Sequence, residues 1–256
     1  MGLAQKALRG AGWIFAGNTA TQMMAFLINI FLARILLPED FGAVAIISSF
    51  LAILQVLGEM GISVAIVQRK DLSPDTLHNA FWLSCLSTSL IGLAIWGMAP
   101  SISSFFEDEE LTALFRLAAF SYCFRGLYSF CNCLLLREML YKKIALINFA
   151  GVIASGSVSM VLAFKGMGAF SVVWGQVVSA ALMLAIAWKA AKYLPRFVWH
   201  FSATRSLLSF GLWVSLNRLL NDIAGKVDAM IIGRSIGTAE LGQYYLAQRL
   251  VLILPS

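Results

Sequence analysis

The sequence predicts an all-α protein, a bundle of long helices that crosses a membrane several times. Hydrophobic residues make up 60% of the 256-residue chain, charged residues only 12%, and the mean hydropathy is +0.82. Soluble domains carry about 25% charged residues, so this chain has too few to cover a surface in water. Its apolar runs reach the length of about 20 residues that a helix needs to cross a bilayer. We assign these runs to helices, because an open sheet would leave backbone polar groups unpaired in lipid.

We place seven membrane spans on these runs, and an eighth helix begins near Leu241. Turn signals separate several of the spans. Residues 73–75 (Ser-Pro-Asp) are typical of a helix start, and residues 165–168 (Lys-Gly-Met-Gly) of a tight turn. The connecting loops are short, so no sizeable soluble catalytic domain fits. The predicted spans are residues 11–37, 41–67, 76–99, 111–136, 144–164, 170–188 and 207–232.

The basic residues predict the orientation in the membrane. With the N-terminus in the cytoplasm, eleven of the 19 lysines and arginines lie on the cytoplasmic side and three in outer loops. Because positive charge is retained in cytoplasmic loops, we predict a cytoplasmic N-terminus. The acidic run 107–110 then falls outside, where we interpret it as a solvated loop. The eleven are Lys6, Arg9, Arg69, Lys70, Arg137, Lys142, Lys143, Lys189, Lys192, Arg196 and Arg205; the three are Arg34, Lys165 and Arg234.

The cysteines and histidines predict no catalytic constellation, no metal site and no cofactor. Cys131 and Cys133 are two positions apart, but no second Cys or His cluster completes a four-ligand site. We interpret the four cysteines as small apolar packing residues. His78 and His200 have no nucleophile or ligand at a useful spacing. We therefore expect a protein that is not an enzyme and that has no nucleic-acid partner.

A weak internal repeat predicts two related lobes. A shift of 200 positions places Arg34 on Arg234, Gly42 on Gly242 and Trp13 on Trp213, and both copies lie where an outward helix turns and returns. Six helices separate the copies, so the halves point the same way and are related by an axis along the membrane normal. We expect a six-helix lobe at 1–203 and the first one to two helices of a second lobe at 204–256. A repeat of this size implies a complete protein of about 400 residues or more.

Two arginines inside the fourth span are candidate substrate contacts. Each charge at the bilayer centre costs at least about 2.5–3.5 kcal/mol, so it must face water, a partner or a ligand. Arginine suits phosphate because its planar fork donates two parallel hydrogen bonds. We therefore assign Arg125, and with less support Arg116, to binding an anionic substrate. The alternatives are an ion pair of Arg125 with Glu59 or Asp222, and snorkelling of Arg116 to the outer interface.

Two further spans carry polar stripes. Arg218, Asp222 and Lys226 recur every four residues in the seventh span, within one arc of the helix. Asn18 and Gln22, followed by Asn29, form a narrow polar face on the first span. If the repeat relates these two spans, both stripes face one axis and line a hydrophilic lumen that binds substrate. Self-pairing of the charges and helix–helix contact by the amides are the alternatives.

Two carboxylates are candidates for coupling or gating. Glu59 lies between Gly58 and Gly61 near the cytoplasmic end of the second span, where a proton site next to helix-loosening glycines would control a rocking motion. Asp222 is the acidic member of the charged stripe on the seventh span. Pairing with a lumen arginine is the alternative for Glu59.

Four segments resemble a known family, the polysaccharide flippases of the MOP superfamily. Residues 32–42 (LARILLPEDFG) are similar to the first outer turn of these proteins and residues 61–72 (GISVAIVQRKDL) to their second-helix exit. Residues 137–143 (REMLYKK) resemble their fourth loop, and residues 231–234 (IIGR) the end of their seventh helix. The likeness is strongest to exporters of O-antigen and colanic-acid-type repeat units. The expected departure from the family is that this sequence holds only the start of the second lobe.

The resemblance implies a function. Two six-helix bundles would face each other across a cavity and move an oligosaccharide on undecaprenyl diphosphate across the bacterial inner membrane by alternating access. The implied partners are this lipid-linked oligosaccharide, membrane lipids, a coupling cation (proton or sodium) and polysaccharide assembly proteins. Four alternatives remain open: a multidrug exporter, a peptidoglycan-precursor flippase, a membrane-embedded glycosyltransferase or ligase, and a non-transporting assembly subunit.

Overall fold

The structure, a computed structural model, describes residues 3–59, 62–63, 66, 74–197, 220, 231–232 and 234–251. Helices and short connections make up this part of the chain and no strand occurs in it, so the all-α prediction is confirmed. The helices are α1 (Leu3–Ala33), α2 (Pro38–Glu59), α3 (Pro74–Phe106), α4 (Glu110–Arg137), α5 (Tyr141–Phe164), α6 (Ala169–Ala191) and α7 (Thr238–Val251).

The first six helices correspond one for one to the first six predicted spans. Helices α1, α2, α3, α5 and α6 are long and apolar enough to cross a membrane. Helix α4 has a sufficient length of 28 residues, but it is less apolar and contains Arg116 and Arg125. The chain is therefore a multi-pass membrane protein. Most of the seventh predicted span lies outside the described residues, and α7 begins at Thr238, slightly before the predicted position.

Helix α3 is longer than the sequence predicts. It begins at Pro74, a position where the N–H that proline lacks would have no partner within the helix. It ends at Phe106 instead of Ala99. Pro100 lies inside the helix, although proline removes one backbone hydrogen bond. Packing explains the continuation, because Ala99 and Phe106 belong to the buried core and Ile102 packs against it. Tertiary contacts thus outweigh the helix-breaking tendency of this proline.

Helix α4 lies in the interior of the bundle. It packs along α3 and along α6, and it touches α2 and α5 over shorter stretches. Leu111, Leu114 and Phe115 on its first turns are 0% exposed. The helix that carries Arg116 and Arg125 is therefore packed against four other helices.

Small residues and hydroxyl groups join α4 to its neighbours. Gly126 lies against the side chain of Thr88 on α3, so closely that a Cβ atom at Gly126 would overlap it. The Tyr122 hydroxyl donates to the carbonyl oxygen of Leu54 on α2 at 3.0 Å. In lipid, close packing and interhelical hydrogen bonds drive helix association, since the apolar surroundings supply no hydrophobic effect between helices.

Helix α1 is peripheral and packs mainly along α5. Gly17 of α1 lies against Ala145 of α5, and Gly156 of α5 lies against Ile28 of α1. A glycine on each helix thus allows close approach of a side chain from the other helix. The remaining circumference of α1 is largely exposed. This helix is therefore held along one seam, whereas α4 is surrounded.

Helices α2 and α7 cross with their backbones in contact. A Cβ atom at Gly42 would overlap the carbonyl oxygen of Thr238, and a Cβ atom at Gly242 would overlap the carbonyl oxygen of Pro38. Both helices begin at the same end of the bundle, since each crossing glycine lies one turn after the first residue of its helix. The two contacts are reciprocal: each glycine meets the carbonyl at the start of the other helix.

We name the two ends of the bundle after residues there. At the Glu107 end, Arg234 Nη1 donates to Glu107 Oε1 at 2.8 Å. Asp40 at the same end accepts a hydrogen bond from the backbone N–H of Ala169, the first residue of α6, at 2.8 Å. A carboxylate at that position favourably meets the positive end of the helix dipole.

At the opposite, Tyr193 end, the segment after α6 is bound to α3. His78 Nδ1 lies 2.7 Å from the Tyr193 hydroxyl and accepts the backbone N–H of Arg196 at 3.2 Å. Trp82 Nε1 donates to the Arg196 carbonyl at 3.0 Å. Burial, with a smaller effect of Cys131, raises the pKa of Tyr193 to about 12, so this hydroxyl stays protonated and donates a hydrogen bond to His78 Nδ1.

Candidate functional site

A polar layer separates two hydrophobic clusters at mid-depth in the bundle. The cluster toward the Glu107 end takes the buried α4 residues from Leu111 to Tyr122, and the cluster toward the Tyr193 end takes those from Phe130 to Leu135. Polar side chains occupy the interval on three helices. We call this set the mid-bundle polar layer: Ser84, Ser87 and Thr88 on α3, Arg125 and Tyr128 on α4, and Asn148 on α5.

Arg125 is an exposed residue in line with two buried positions of α4. Leu111, Ala118 and Arg125 follow at steps of seven residues, so they lie on one line along the helix to within about 20° per step. Leu111 and Ala118 are 0% exposed, yet the Arg125 side chain is exposed. The neighbouring helices therefore close over the first two positions and leave a gap at the third. We call this gap at Arg125 the recess.

Tyr128 and Asn148 connect the two helices beside Arg125. The Tyr128 hydroxyl donates to Asn148 Oδ1 at 2.6 Å, which links α4 to α5. Elsewhere these two helices touch little, because α6 packs along both of them. Asn132 continues the line of Arg125 by another seven residues, and its buried Oδ1 has no hydrogen-bond partner among the described residues. Buried acceptors without a partner are rare, so Asn132 is a candidate to accept a hydrogen bond from a donor outside the described residues.

The chemistry of this recess is that of a binding site for a polar anion. The guanidinium of Arg125 presents several N–H donors in a rigid plane, a geometry that matches phosphate oxygens. The hydroxyl of Tyr128 and the amides of Asn132 and Asn148 can exchange hydrogen bonds with sugar hydroxyls. In surroundings of low dielectric constant these interactions are stronger than in water.

Arg116 has a different environment from Arg125. Its guanidinium carbon lies 4.8 Å from the ring centroid of Trp96 on α3, a cation–π contact. Its Nε is buried without a hydrogen-bond partner in the described part of the chain. Arg116 lies between the Glu107 end and Arg125, so the predicted pair of arginines occupies two levels of one helix and does not form a single cluster.

The amides of α1 are not brought against Arg125. Asn18 and Gln22 are exposed, and they lie away from the line of Gly17 that meets α5. Asn29 Nδ2 donates to the carbonyl oxygen of Ala25 in its own helix at 2.7 Å. The predicted polar face of α1 thus carries two exposed amides, Asn18 and Gln22.

Three predicted site residues, and the side chain of a fourth, lie outside the described structure. Arg218, Asp222 and Lys226 of the charged stripe belong to residues that the structure does not describe. Glu59 is the last residue of α2, and its side chain is likewise outside the described part. Their assignments stay predictions.

Sequence reasoning missed Tyr128, Asn132 and Asn148. Asn132 could have been found, because it lies seven residues after Arg125 and so on the same line of the helix. Asn148 could not, since its contact with Tyr128 depends on how α4 and α5 are placed by α6. Trp96, the partner of Arg116, was also missed because it lies on another helix.

Negative charge collects at the Glu107 end. Partial burial raises the pKa of Glu110, which precedes the predicted span, and the neighbouring carboxylates Asp108 and Asp40 raise it further. Asp108 Oδ1 accepts the backbone N–H of Glu110 at 3.0 Å, which ties the acids into the turn that starts α4. This acidic turn is therefore partly structured, where the sequence predicts only a solvated loop.

The described residues hold no group of three or more His, Cys, Asp or Glu side chains that could bind a metal ion. All four cysteines are free, with Cys131 and Cys133 buried in the cluster near the Tyr193 end. Their location in an apolar cluster agrees with the interpretation of small packing residues.

The fold and the polar layer define a polytopic helical membrane protein with an exposed arginine between two hydrophobic clusters. A family model described as "Polysaccharide biosynthesis protein" matches residues 31–256, most of the chain. The chain belongs to this polysaccharide biosynthesis protein family. No solved structure matches it significantly.

Several characterised sequences are similar to the chain. It is 26% identical over 250 residues to the succinoglycan biosynthesis transport protein ExoT of Rhizobium meliloti (strain 1021), covering 98% of this chain and 51% of that protein. It is 26% identical over 202 residues to the teichuronic acid biosynthesis protein TuaB of Bacillus subtilis (strain 168), covering 78% and 42%. It is 22% identical over 257 residues to the lipopolysaccharide biosynthesis protein WzxC of Escherichia coli (strain K12), covering 100% and 52%. The chain thus spans about half the length of these curated relatives.

Proposed function

We propose that this chain forms part of a flippase for cell-surface polysaccharide synthesis. Its substrate is an oligosaccharide repeat unit linked to undecaprenyl diphosphate, and it moves this unit from the inner to the outer leaflet of the bacterial inner membrane. The observation that carries the proposal is the exposed Arg125 in a break of the hydrophobic core. The family match and the relative whose name includes "transport protein" support it.

Such a protein needs to lower a solvation barrier and does not need to break a bond. A diphosphate carries charge that an apolar bilayer core excludes, just as it excludes a charged side chain. A cationic recess replaces part of the water around the phosphate with fixed donors. The polyprenyl tail stays in lipid while the sugars and the diphosphate cross through the protein. The chain is then a transporter and not an enzyme.

The second lobe completes the pathway in this proposal. Residues 1–203 form the first lobe and residues 204–256 begin the second, related by an axis along the membrane normal. The exposed amides Asn18 and Gln22 and the stripe of Arg218 and Lys226 line the lumen between the lobes. Arg116 contacts the substrate closer to the outer side, with the N-terminus in the cytoplasm.

Transport in one direction needs a cation gradient or a gradient of the substrate itself. Glu59 and Asp222 are the proposed coupling or gating groups, since a carboxylate within a membrane can bind a proton or sodium. Proteins of polysaccharide assembly are the proposed partners on either side of the membrane. A drug exporter for cationic cargo is less well supported, because the recess carries an arginine.

The decisive test of this function reconstitutes the intact protein in lipid vesicles. A fluorescent undecaprenyl-diphosphate oligosaccharide is added, and its movement between leaflets is followed by quenching from outside. Arg125→Gln should slow movement by about tenfold or more, because one charge-assisted contact with phosphate is lost. Arg34→Gln is the matched control, since Arg34 is exposed at the turn after α1 and the same charge is removed there.

The possible outcomes separate cleanly. Slower movement in Arg125→Gln with unchanged movement in Arg34→Gln supports the proposed contact. Equal rates in both variants reject Arg125 as a substrate contact. Failure of the parent protein to move the lipid, in vesicles where it is folded and correctly inserted, rejects the flippase function itself.

A further inference from the structure

The α2–α7 crossing lies at the Glu107 end, close to the turn that joins α3 and α4. Gly42 meets the backbone of Thr238, and Gly242 meets the backbone of Pro38. Glycine is needed at both positions, because any side chain would overlap a backbone carbonyl, which cannot rotate away. Small residues of this kind allow two membrane helices to approach at backbone distance.

The two glycine contacts of the crossing are related to each other by the shift of 200 positions. Residue 42 contacts residue 238 and residue 242 contacts residue 38, so each half of the contact repeats the other after a shift of 200. Each contact pairs a glycine of one copy with the helix start of the other copy. Such a reciprocal contact is self-complementary, as at a two-fold axis. The surrounding packing is tight, since Leu241 is 0% exposed and Phe41, its equivalent, is 3% exposed.

An ion pair spans the same end beside the crossing. Arg234 Nη1 lies 2.8 Å from Glu107 Oε1, with the two side chains 45% and 72% exposed. The Arg234 guanidinium carbon also lies 5.3 Å from the ring centroid of Phe105. The pair connects the α3–α4 turn of the first lobe to the residues before α7. Exposed ion pairs hold two groups weakly and are screened by salt, so this contact can open and close readily.

Water reaches this ion pair. A polar cavity of about 430 Å³ opens at the Glu107 end, and Glu107, Asp108, Arg234, Ser235 and Thr238 are among the residues lining it. The Glu107 end thus combines a dry backbone seam with a wet ionic contact. A dry seam resists passage of a polar molecule, and a wet ionic contact needs little work to break.

We propose that the α2–α7 crossing is the gate that closes the transport pathway at the Glu107 end, with Glu107–Arg234 as its latch. The gate opens when the two glycine-paired helices separate and the latch exchanges its partner for water. The role of the gate in transport rests on the proposed flippase function, whereas the closed seam itself does not. Breaking the latch favours the open state, and a side chain at Gly42 or Gly242 prevents closure.

The test measures access to the seam in the intact purified protein. The native cysteines are replaced by alanine and Leu241→Cys is introduced, since Leu241 is buried at the crossing. A water-soluble maleimide should label this cysteine slowly. In Gly242→Leu, labelling should be about tenfold faster or more, because the seam cannot close. Gly97→Leu is the matched control on α3, where a Cβ atom meets nothing within 4 Å.

A second set of variants tests the latch without adding bulk. Glu107→Gln and Arg234→Gln should each speed the labelling of Leu241→Cys severalfold, and the exchange Glu107→Arg with Arg234→Glu should return it to the parent rate. High salt should speed labelling in the parent and leave the neutral variants unchanged. These variants stay informative if Gly242→Leu fails to fold.

Each result supports or overturns the gate independently of the substrate. Fast labelling in Gly242→Leu or in the latch variants, with a slow parent and slow control, supports it. A parent labelled as fast as its variants shows that the seam is not closed and overturns it. Labelling that stays as slow as in the parent in every folded variant also overturns it. A protein that passes this test but does not move lipid-linked oligosaccharide keeps its gate and loses the proposed function.

Discussion

Helices α4 and α1 both carry polar residues well inside their spans, but the bundle treats them differently. Helix α4 packs against four other helices, and Arg125 is exposed in a break between two hydrophobic clusters. Helix α1 is held along one seam with α5, and Asn18 and Gln22 lie on its exposed surface. Polar character alone therefore does not locate a site. The packing around a polar residue decides whether it opens an internal recess or an outer surface.

The largest expected effect comes from reversing the charge in the recess. Arg125→Glu should abolish movement of lipid-linked oligosaccharide, because a carboxylate repels the diphosphate and is itself costly at mid-membrane. Arg34→Glu, the same change at the exposed turn after α1, should leave the rate within about twofold of the parent. The vesicle assay measures both variants. Comparable rates in the two would remove the distinction between recess and surface.

The second largest effect is expected from a bulky residue on the packed side of α4, and it is an effect on stability. Gly126→Leu forces a side chain into Thr88 on α3. We expect the free energy of unfolding to fall by about 1–3 kcal/mol, as in other overpacked cores. Thermal unfolding of the detergent-solubilised protein measures it. Gly12→Leu on α1, where a Cβ atom meets nothing within 4 Å, is the control and should change little.

Part of this structure could be predicted from local properties of the sequence, and part could not. The number, order and approximate bounds of the first six helices could be read from apolar runs, because length and hydropathy are local properties. Arg125 could be singled out for the same reason, since a charge in an apolar run is visible in the sequence. Its recess could not, because the gap at Arg125 depends on how α3, α5 and α6 surround α4.

Pairings between helices were the part that sequence reasoning could not supply. The Tyr128–Asn148 hydrogen bond and the contact of Arg116 with Trp96 each join two helices whose relative rotation no local pattern records. The prediction that α3 ends at Ala99 was wrong for a related reason, since contacts of Ile102 and Phe106 sustain the helix beyond Pro100. By contrast, the matched positions 42 and 242 were visible as a repeat, although their contact was not.

A moderate effect is expected from the hydrogen bond beside Arg125. Tyr128→Phe removes the hydroxyl that donates to Asn148 and leaves the ring in place. Stability should fall by about 1 kcal/mol, the usual net value of such a bond. Transport should slow severalfold if this pair also orders the recess. Asn148→Ala should act similarly, and the double variant should be no worse than the stronger single variant, because both remove one interaction.

The smallest effect is expected on α1. Asn29→Ala removes an amide that bonds to the carbonyl of Ala25 in its own helix. Because that carbonyl keeps its helical hydrogen bond, we expect a change in unfolding free energy within about 0.5 kcal/mol. Thermal unfolding is again the measurement. A loss as large as that of Tyr128→Phe would show that α1 is not the loosely held helix described above.

The most direct measurement asks whether water reaches Arg125 and not the opposite side of α4. Phe120 is 56% exposed and lies five positions before Arg125, about 140° around the helix. Arg125→Cys and Phe120→Cys are each treated with a charged, water-soluble thiol reagent in lipid vesicles. The account predicts rapid reaction at position 125 and none at 120, because thiols ionise in a wet recess and stay protonated in lipid. Reaction at 120 but not at 125, or at neither, would contradict a hydrated recess in the interior of the bundle.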